Sequence, residues 1–273
     1  MGPAAGTAAT FAANRARGHV AVTVAAAGVP YAATEEGALR VRFPRACAGA
    51  PEAVLVNTAG GMTGGDRFEV GLAIGTGARL AVTTAAAEKI YRSLGSDARI
   101  EVTASLADGA DLAWLPQETI LFDRARLART ITVTLGAGAR LVMAETVVFG
   151  RTAMGETVRC GALADRWRIR RCGRLVFAEN FGLKGAVSER LGESAVAGGR
   201  VALGTVLMTP GSEDNARAVR ETREAFAGDV GVSAWNGIVL ARLAARDGAA
   251  LRHDLVLVLQ ALGHGPLPRL FLS

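Results

Sequence analysis

The strongest constraint on this fold is a recurrence. Gly77-Ala78-Arg79-Leu80-Ala81-Val82 returns as Gly109-Ala110-Asp111-Leu112-Ala113-Trp114 and again as Gly138-Ala139-Arg140-Leu141-Val142-Met143, at spacings of 32 and 29 residues. Each glycine has an apolar residue three positions before it (Ile74, Leu106, Leu135) and others three and five after it. Alternation is the period of a strand, and a glycine between two alternating runs marks a turn. One such unit cannot bury its apolar face alone, whereas units stacked on one another share a core. The expected fold is mainly β: stacked strand repeats forming a β-helix-like scaffold, with a β-sandwich of repeated hairpins as the alternative. In the stacked arrangement Leu80, Leu112 and Leu141 lie side by side in one core. A weaker fourth copy is expected around Trp167, Ile169, Gly173, Leu175 and Phe177.

The flanks read differently. Residues 1–18 are expected to form a flexible tail, and residues 19–273 a single β-rich domain. Val20, Val22 and Val24 alternate as in a strand, and residues 31–43 read as a strand pair turning near Glu35-Glu36-Gly37. About two C-terminal helices are expected. One spans 212–226, where Ser212 can cap and Glu213 and Asp214 occupy the first turn; the other spans 249–262 and stops at Gly263.

Just before the first repeat stands Asn57-Thr58-Ala59-Gly60-Gly61-Met62-Thr63-Gly64-Gly65-Asp66. Gly60, Gly61, Gly64 and Gly65 are more glycines than a turn requires, which points to a structural loop folded tightly between two strands, with Asp66 at its exit. The loop is no phosphate cradle of a known kind. No Gly-Lys-Ser/Thr follows it, no GxGxxG is present, and strand alternation continues where a helix should open. Nucleophilic catalysis is equally unsupported, because no GxSxG occurs and His19, His253 and His264 lie near the chain ends.

Composition narrows the partners. The net charge of +6 is carried almost wholly by arginine, Lys89 and Lys184 being the only lysines. The arginines are scattered singly among carboxylates, so neither a nucleic-acid stripe nor a membrane-span run is visible, and no nucleic acid or membrane is expected as a partner. Cys47, Cys160 and Cys172 have no metal-ligand spacing, and a reduced, cytoplasmic protein is the simplest reading.

The polar residues at the strand ends carry one further expectation. Side chains two apart on a strand share a face. By that parity Asp66 follows Phe68 and Val70, Glu145 follows Leu141 and Met143, Glu179 follows Leu175 and Phe177, and Thr84 follows Leu80 and Val82. All four are expected to face inward. They are satisfied structurally by arginines such as Arg67 or Arg151, or the strand has already turned outward where they stand, or they are arranged along a hydrated passage of weak oxygen ligands.

Several ordered motifs stand out: the glycine stretch extended to Leu55 and Arg67, Thr83-Thr84 with Lys89-Ile90-Tyr91-Arg92-Ser93, Trp114-Leu115-Pro116-Gln117-Glu118, Gly150-Arg151-Thr152-Ala153-Met154-Gly155-Glu156, and Leu267-Pro268-Arg269-Leu270-Phe271. Together they resemble the motifs of the urease accessory protein UreD (UreH) family. Thr58-Ala59 stands where the family usually has two prolines, and Phe271 where it often has Trp. The resemblance implies a β-rich stack of strands with a small helical part. It also implies a non-enzymatic scaffold that assists nickel insertion into the urease apoprotein, joining UreF and the GTPase UreG. On that reading no cofactor is tightly bound, nickel is transient, and Asp66, Glu145, Glu179 and Thr84 are candidate points on its path. The alternative is a β-repeat protein-binding adaptor without a metal role.

Overall fold

The computed structural model describes residues 15–26, 31–44, 51–151, 154–263 and 267–271. Two β-sheets face each other, and helices cover the outside of one of them. The seven-stranded sheet runs β14(Arg174–Ala186), β13(Cys160–Arg171), β11(Arg126–Leu135), β8(Ala98–Leu106), β5(Arg67–Ile74), β1(Arg17–Val24), β2(Tyr31–Gly37). The larger sheet runs β16(Asp229–Trp235), β17(Ile238–Ala245), β15(Ala202–Thr209), β12(Arg140–Phe149), β9(Asp111–Trp114), β6(Arg79–Thr84), β4(Glu52–Asn57), β3(Leu39–Arg42). Two short strands, β7(Glu88–Ile90) and β10(Thr119–Leu121), extend it beside β12.

The centre of each sheet is parallel, because the chain coils. Each repeat places one strand in the smaller sheet and the next in the larger: β5 then β6, β8 then β9, β11 then β12. The corner between them is the repeated glycine, with φ of +65°, +66° and +65° at Gly77, Gly109 and Gly138. An L side chain rarely adopts that conformation, which is why glycine recurs there. The corners hydrogen-bond to one another, Gly77 N to Asp108 O at 3.1 Å and Gly109 N to Ala137 O at 2.9 Å. Leu80, Leu112 and Leu141 then fall in one register row and are each 1% exposed. The stacked-strand expectation therefore holds, and burial of each leucine stabilises the stack by about 1.5–3 kcal/mol.

Two local expectations do not hold. The segment around Gly173 is no fourth coil: β13 and β14 form an antiparallel hairpin within one sheet, turning at Cys172 (φ +46°) and Gly173. Alternation is the same in a hairpin and in a coil; what differs is whether the chain crosses between sheets, and here it doubles back. Likewise β2 and β3 belong to different sheets, β2 pairing with β1 and β3 with β4. Ala38 N donates to Arg17 O at 2.7 Å as the chain crosses over.

Two cores result. One lies between the sheets, and the other between the larger sheet and α2(Glu213–Glu221) and α3(Gly248–Ala261). Helix α2 begins at the Ser212 capping box and gives way to a short 3-10 turn at Arg223–Ala225, so it is shorter than 212–226. A short helix not foreseen, α1(Val187–Gly192), buries Val187 and Leu191, one turn apart, after β14. Cys160 and Cys172 are free thiols, while Cys47 and His264 lie outside the described residues. Among the described residues no helix is long and apolar enough to cross a membrane.

Candidate functional site

The glycine loop is built against a second loop. A Cβ at Gly61 would meet the Tyr91 ring at 2.4 Å, and one at Gly64 would meet Ser93 Oγ at 2.0 Å and Ser96 O at 2.3 Å. Positive φ at Gly60, Gly61 and Gly65 (+75°, +148° and +94°) and close approach at Gly61 and Gly64 together explain the excess of glycine. Asp66 closes the loop: Oδ1 accepts from Ala16 N at 2.9 Å and Oδ2 from Thr63 N at 2.7 Å.

Beside this loop a cavity of about 200 Å³ enters the space between the sheets. Gly60, Gly61 and the exposed Ala85-Ala86 line its outer part, and its walls are mostly apolar, among them Leu55, Phe68 and Val102. Its polar lining includes Lys89, Gln117 and Thr119. On one wall Asn57 Nδ2 donates to Glu88 Oε1 at 2.8 Å. Thr84 Oγ1 also lines it, donating to Ala86 O and accepting from Gln117 N, both at 2.9 Å. The cavity reaches Glu145 and Arg129.

These two belong to a buried ionic cluster. Arg129 projects inward from β11, between Leu127 and Ile131, and bonds both Glu145 of β12 and Asp165 of β13. Thr119 Oγ1 accepts from Arg129 at 3.3 Å. Each carboxylate also receives an indole N–H, Trp114 Nε1 to Glu145 at 2.7 Å and Trp167 Nε1 to Asp165 at 3.0 Å. Removing charges from water is expensive unless partners replace the water, and here every charged group has several. One guanidinium nevertheless serves two carboxylates. Burial disfavours the Arg129 charge, but Asp165 and Glu145 outweigh it and raise its pKa. Burial pushes the Glu145 carboxyl up to about 7, opposed by Arg129 and reinforced by Asp165. Burial likewise pushes Glu88 up to about 7, opposed by the Asn57 amide and Lys89. The cavity is thus lined by two carboxyl groups whose pKa burial raises.

Strand parity places Asp66 and Glu145 in the interior as expected, 4% and 5% exposed. It does not bring the four candidates together. Glu145 and Thr84 line the cavity, whereas Asp66 is held by backbone N–H groups outside its lining. Glu179 is only half-buried, at the edge of the sandwich, paired with Arg242 of β17. Arg67 and Arg151 satisfy none of these: Arg67 pairs with Glu69 and Glu101, and Arg151 with Glu156. The residues missed were Arg129, Asp165 and the Asn57–Glu88 pair. For the first two a signal was available, since each is a charged residue in the apolar phase of its strand, Arg129 with Leu127 and Ile131, Asp165 with Leu163 and Trp167. Among the described residues no group of three or more His, Cys, Asp or Glu is placed to hold a metal ion.

The other motifs tie layers together. Arg252 of α3 grips Glu118 through two bonds of 2.6 and 2.7 Å, and Gln117 Nε2 donates to Leu270 O at 2.6 Å. Trp114-Leu115-Pro116-Gln117-Glu118 thereby fixes the helical layer and the C-terminal turn to the larger sheet.

Comparison with known proteins agrees with these motifs. The family profile described as UreD urease accessory protein matches residues 15–270. A urease accessory protein UreD of Rhodopseudomonas palustris strain HaA2 is 52% identical over 268 residues, covering 97% of this chain and 96% of the relative. The UreD of Bradyrhizobium diazoefficiens USDA 110 is 50% identical over 270 residues, covering 98% of each. UreD 3 of Bradyrhizobium sp. BTAi1 is 49% identical over 274 residues, covering 99% of each. The chain belongs to the UreD urease accessory protein family.

Proposed function

We propose that this protein is a non-enzymatic scaffold of urease maturation in the cytoplasm, assembling with UreF and the GTPase UreG on the urease apoprotein, and that its inter-sheet cavity carries nickel as cargo. Family membership supports the maturation role. The observation that carries the passage is the cavity itself: it enters beside the glycine loop, passes the Asn57–Glu88 pair and Thr84, and reaches Glu145. Along its mostly apolar wall stand the oxygen-bearing side chains of Asn57, Thr84, Glu88, Gln117, Thr119 and Glu145, together with the cations Lys89 and Arg129. Single oxygen ligands bind nickel weakly, which suits an ion that must be released. Carboxyl groups whose pKa burial raises hold a proton more readily, and a cation can be taken up in exchange for it and returned.

The test uses isosteric changes. Glu88→Gln with Glu145→Gln keeps shape and removes both negative charges. The expected result is complex formation with UreF, UreG and the apoprotein at wild-type yield, with several-fold less nickel in the urease produced, measured by elemental analysis of the purified enzyme. Adding Asp66→Asn and Glu179→Gln, which lie off the cavity lining, should lower nickel no further. Full nickel loading by the Glu88/Glu145 variant would exclude the passage and leave a protein-binding adaptor without a metal role.

A further inference from the structure

Arg17, Arg67 and Arg99 stand in one register row across three neighbouring parallel strands, β1, β5 and β8, near their N-terminal ends. Their side chains are on the outer face of the smaller sheet, opposite the inter-sheet core. With Arg126 they line a concave pocket of about 500 Å³, whose remaining wall is Gly65, Gly95, Ser96 and Asp97. Adjacent strands lie about 4.8 Å apart, and like charges placed directly side by side across strands are destabilising. Three arginines in such a row therefore need an explanation.

Their partners account for only part of the charge. Arg67 pairs with Glu69 at 2.6 Å and Glu101 at 3.2 Å, and Arg126 with Asp97 at 2.8 Å. Among the described residues Arg17 and Arg99 have neither an ion pair nor a side-chain hydrogen bond. No hidden side chain supplies the missing charge, because all 25 Asp and Glu residues of the chain lie among the described residues. Two guanidinium forks are thus left unanswered in a concave site, one on either side of Arg67.

The geometry points to a docking site for a carboxylate-rich segment of a partner protein, with Arg17 and Arg99 as its two anchoring forks. A guanidinium presents a planar fork that matches a carboxylate with two bonds. The two free forks start from strands flanking β5, about 10 Å apart at the backbone. That separation suits two acidic side chains of one chain better than a single small ion. The pocket is also broad and half open, as an interface rim is, with exposed charges that steer an acidic partner and fix its register. The same glycine loop that lines the inter-sheet cavity at Gly60 and Gly61 borders this pocket at Gly65, so a segment docked here sits beside the cavity entrance. The inference depends neither on nickel passage nor on the identity of the partners.

The experiment titrates the full chain with an octaglutamate peptide, and separately with inorganic phosphate, at low and high salt. Arg17→Glu with Arg99→Glu is compared with Arg223→Glu and Arg246→Glu, exposed arginines elsewhere that change net charge equally. The row variant is expected to weaken peptide binding at least about tenfold at low salt, with the control within about twofold and the difference shrinking as salt screens it. Arg17→Gln with Arg99→Gln, which spares the fold any reversed charge, is expected to weaken binding in the same direction by a smaller factor. Equal losses in row and control variants would mean that net charge alone attracts the peptide, and would overturn the proposal. Saturable phosphate binding at the same concentrations, abolished by the row variant, would make this a small-anion pocket and overturn it as well.

Discussion

The smaller sheet carries arginines on both faces, and the two faces treat them oppositely. On the inner face Arg129 is fully enclosed, with Glu145, Asp165 and Thr119 as partners and two tryptophan N–H groups completing the carboxylates. On the outer face Arg17 and Arg99 are exposed and, among the described residues, unanswered, beside an Arg67 that is paired twice. Inside, each charged group is held by several hydrogen-bonded partners, so the cluster locks β11, β12 and β13 together across the two sheets. Outside, water solvates what the chain does not pair, and surplus charge remains available to something else. The comparison separates architecture from recognition within a single sheet.

The sharpest way to break it is Arg129→Met. The change leaves two buried carboxylates facing each other without a counter-charge, and loss of about 3–5 kcal/mol is expected. Arg242→Met is the internal comparison. It removes the partner of Glu179, but the arginine side chain is 47% exposed, and an exposed pair contributes about 0–1 kcal/mol. Urea midpoints of the two variants measure the difference. Equal effects would mean that the inner cluster is no more structural than a surface pair.

Much of this architecture was legible, for a physical reason. The coil is written locally: a glycine with φ near +65° between two alternating runs, recurring at a nearly constant period, so Leu80, Leu112 and Leu141 could be stacked from the sequence. Whether the chain crosses between sheets or turns back is decided by distant pairing, and alternation is blind to it. Hence Gly173 looked like a fourth corner when it is the tip of a hairpin. The same limit applied to the site. Parity could place Glu145 inside, but its partners come from β11 and β13, and only the register of three strands brings them together. The cavity was illegible too, since its lining combines Asn57, Glu88 and Arg129 from separate coils.

A second test works through pH. Glu88 and Glu145 have folded pKa values near 7, above the 4.5 of an unperturbed glutamate. Between those values the folded state binds more protons than the unfolded chain, so stability falls as pH rises and the loss is complete above the folded pKa. The urea midpoint should therefore drop from about pH 4.5 to about pH 7 and level off above that. Glu88→Gln with Glu145→Gln should flatten that dependence, because the amides cannot titrate. Arg17→Gln with Arg99→Gln, which leaves both carboxyl groups in place, should leave the slope unchanged. An unchanged slope in the glutamate variant would show that neither carboxyl is held protonated by burial.

The smallest expected effect is the most telling about the outer face. If Arg17 and Arg99 are surplus to the fold, Arg17→Gln and Arg99→Gln should change stability by no more than about 0.5 kcal/mol each, as is usual for surface positions without a structural role. The sign is expected to be neutral or slightly stabilising at low salt, because each change removes repulsion from Arg67, its neighbour in the row. Added salt should erase even that difference, since exposed charges are screened over a Debye length of about 8–10 Å. Glutamine keeps the first methylenes of the arginine stem, so any packing of that stem over the sheet is largely preserved. Urea midpoints at two salt concentrations decide the matter. A loss above about 1 kcal/mol in either variant would show that these guanidinium groups hold the sheet itself, as Arg129 does, and the contrast between the two faces would disappear.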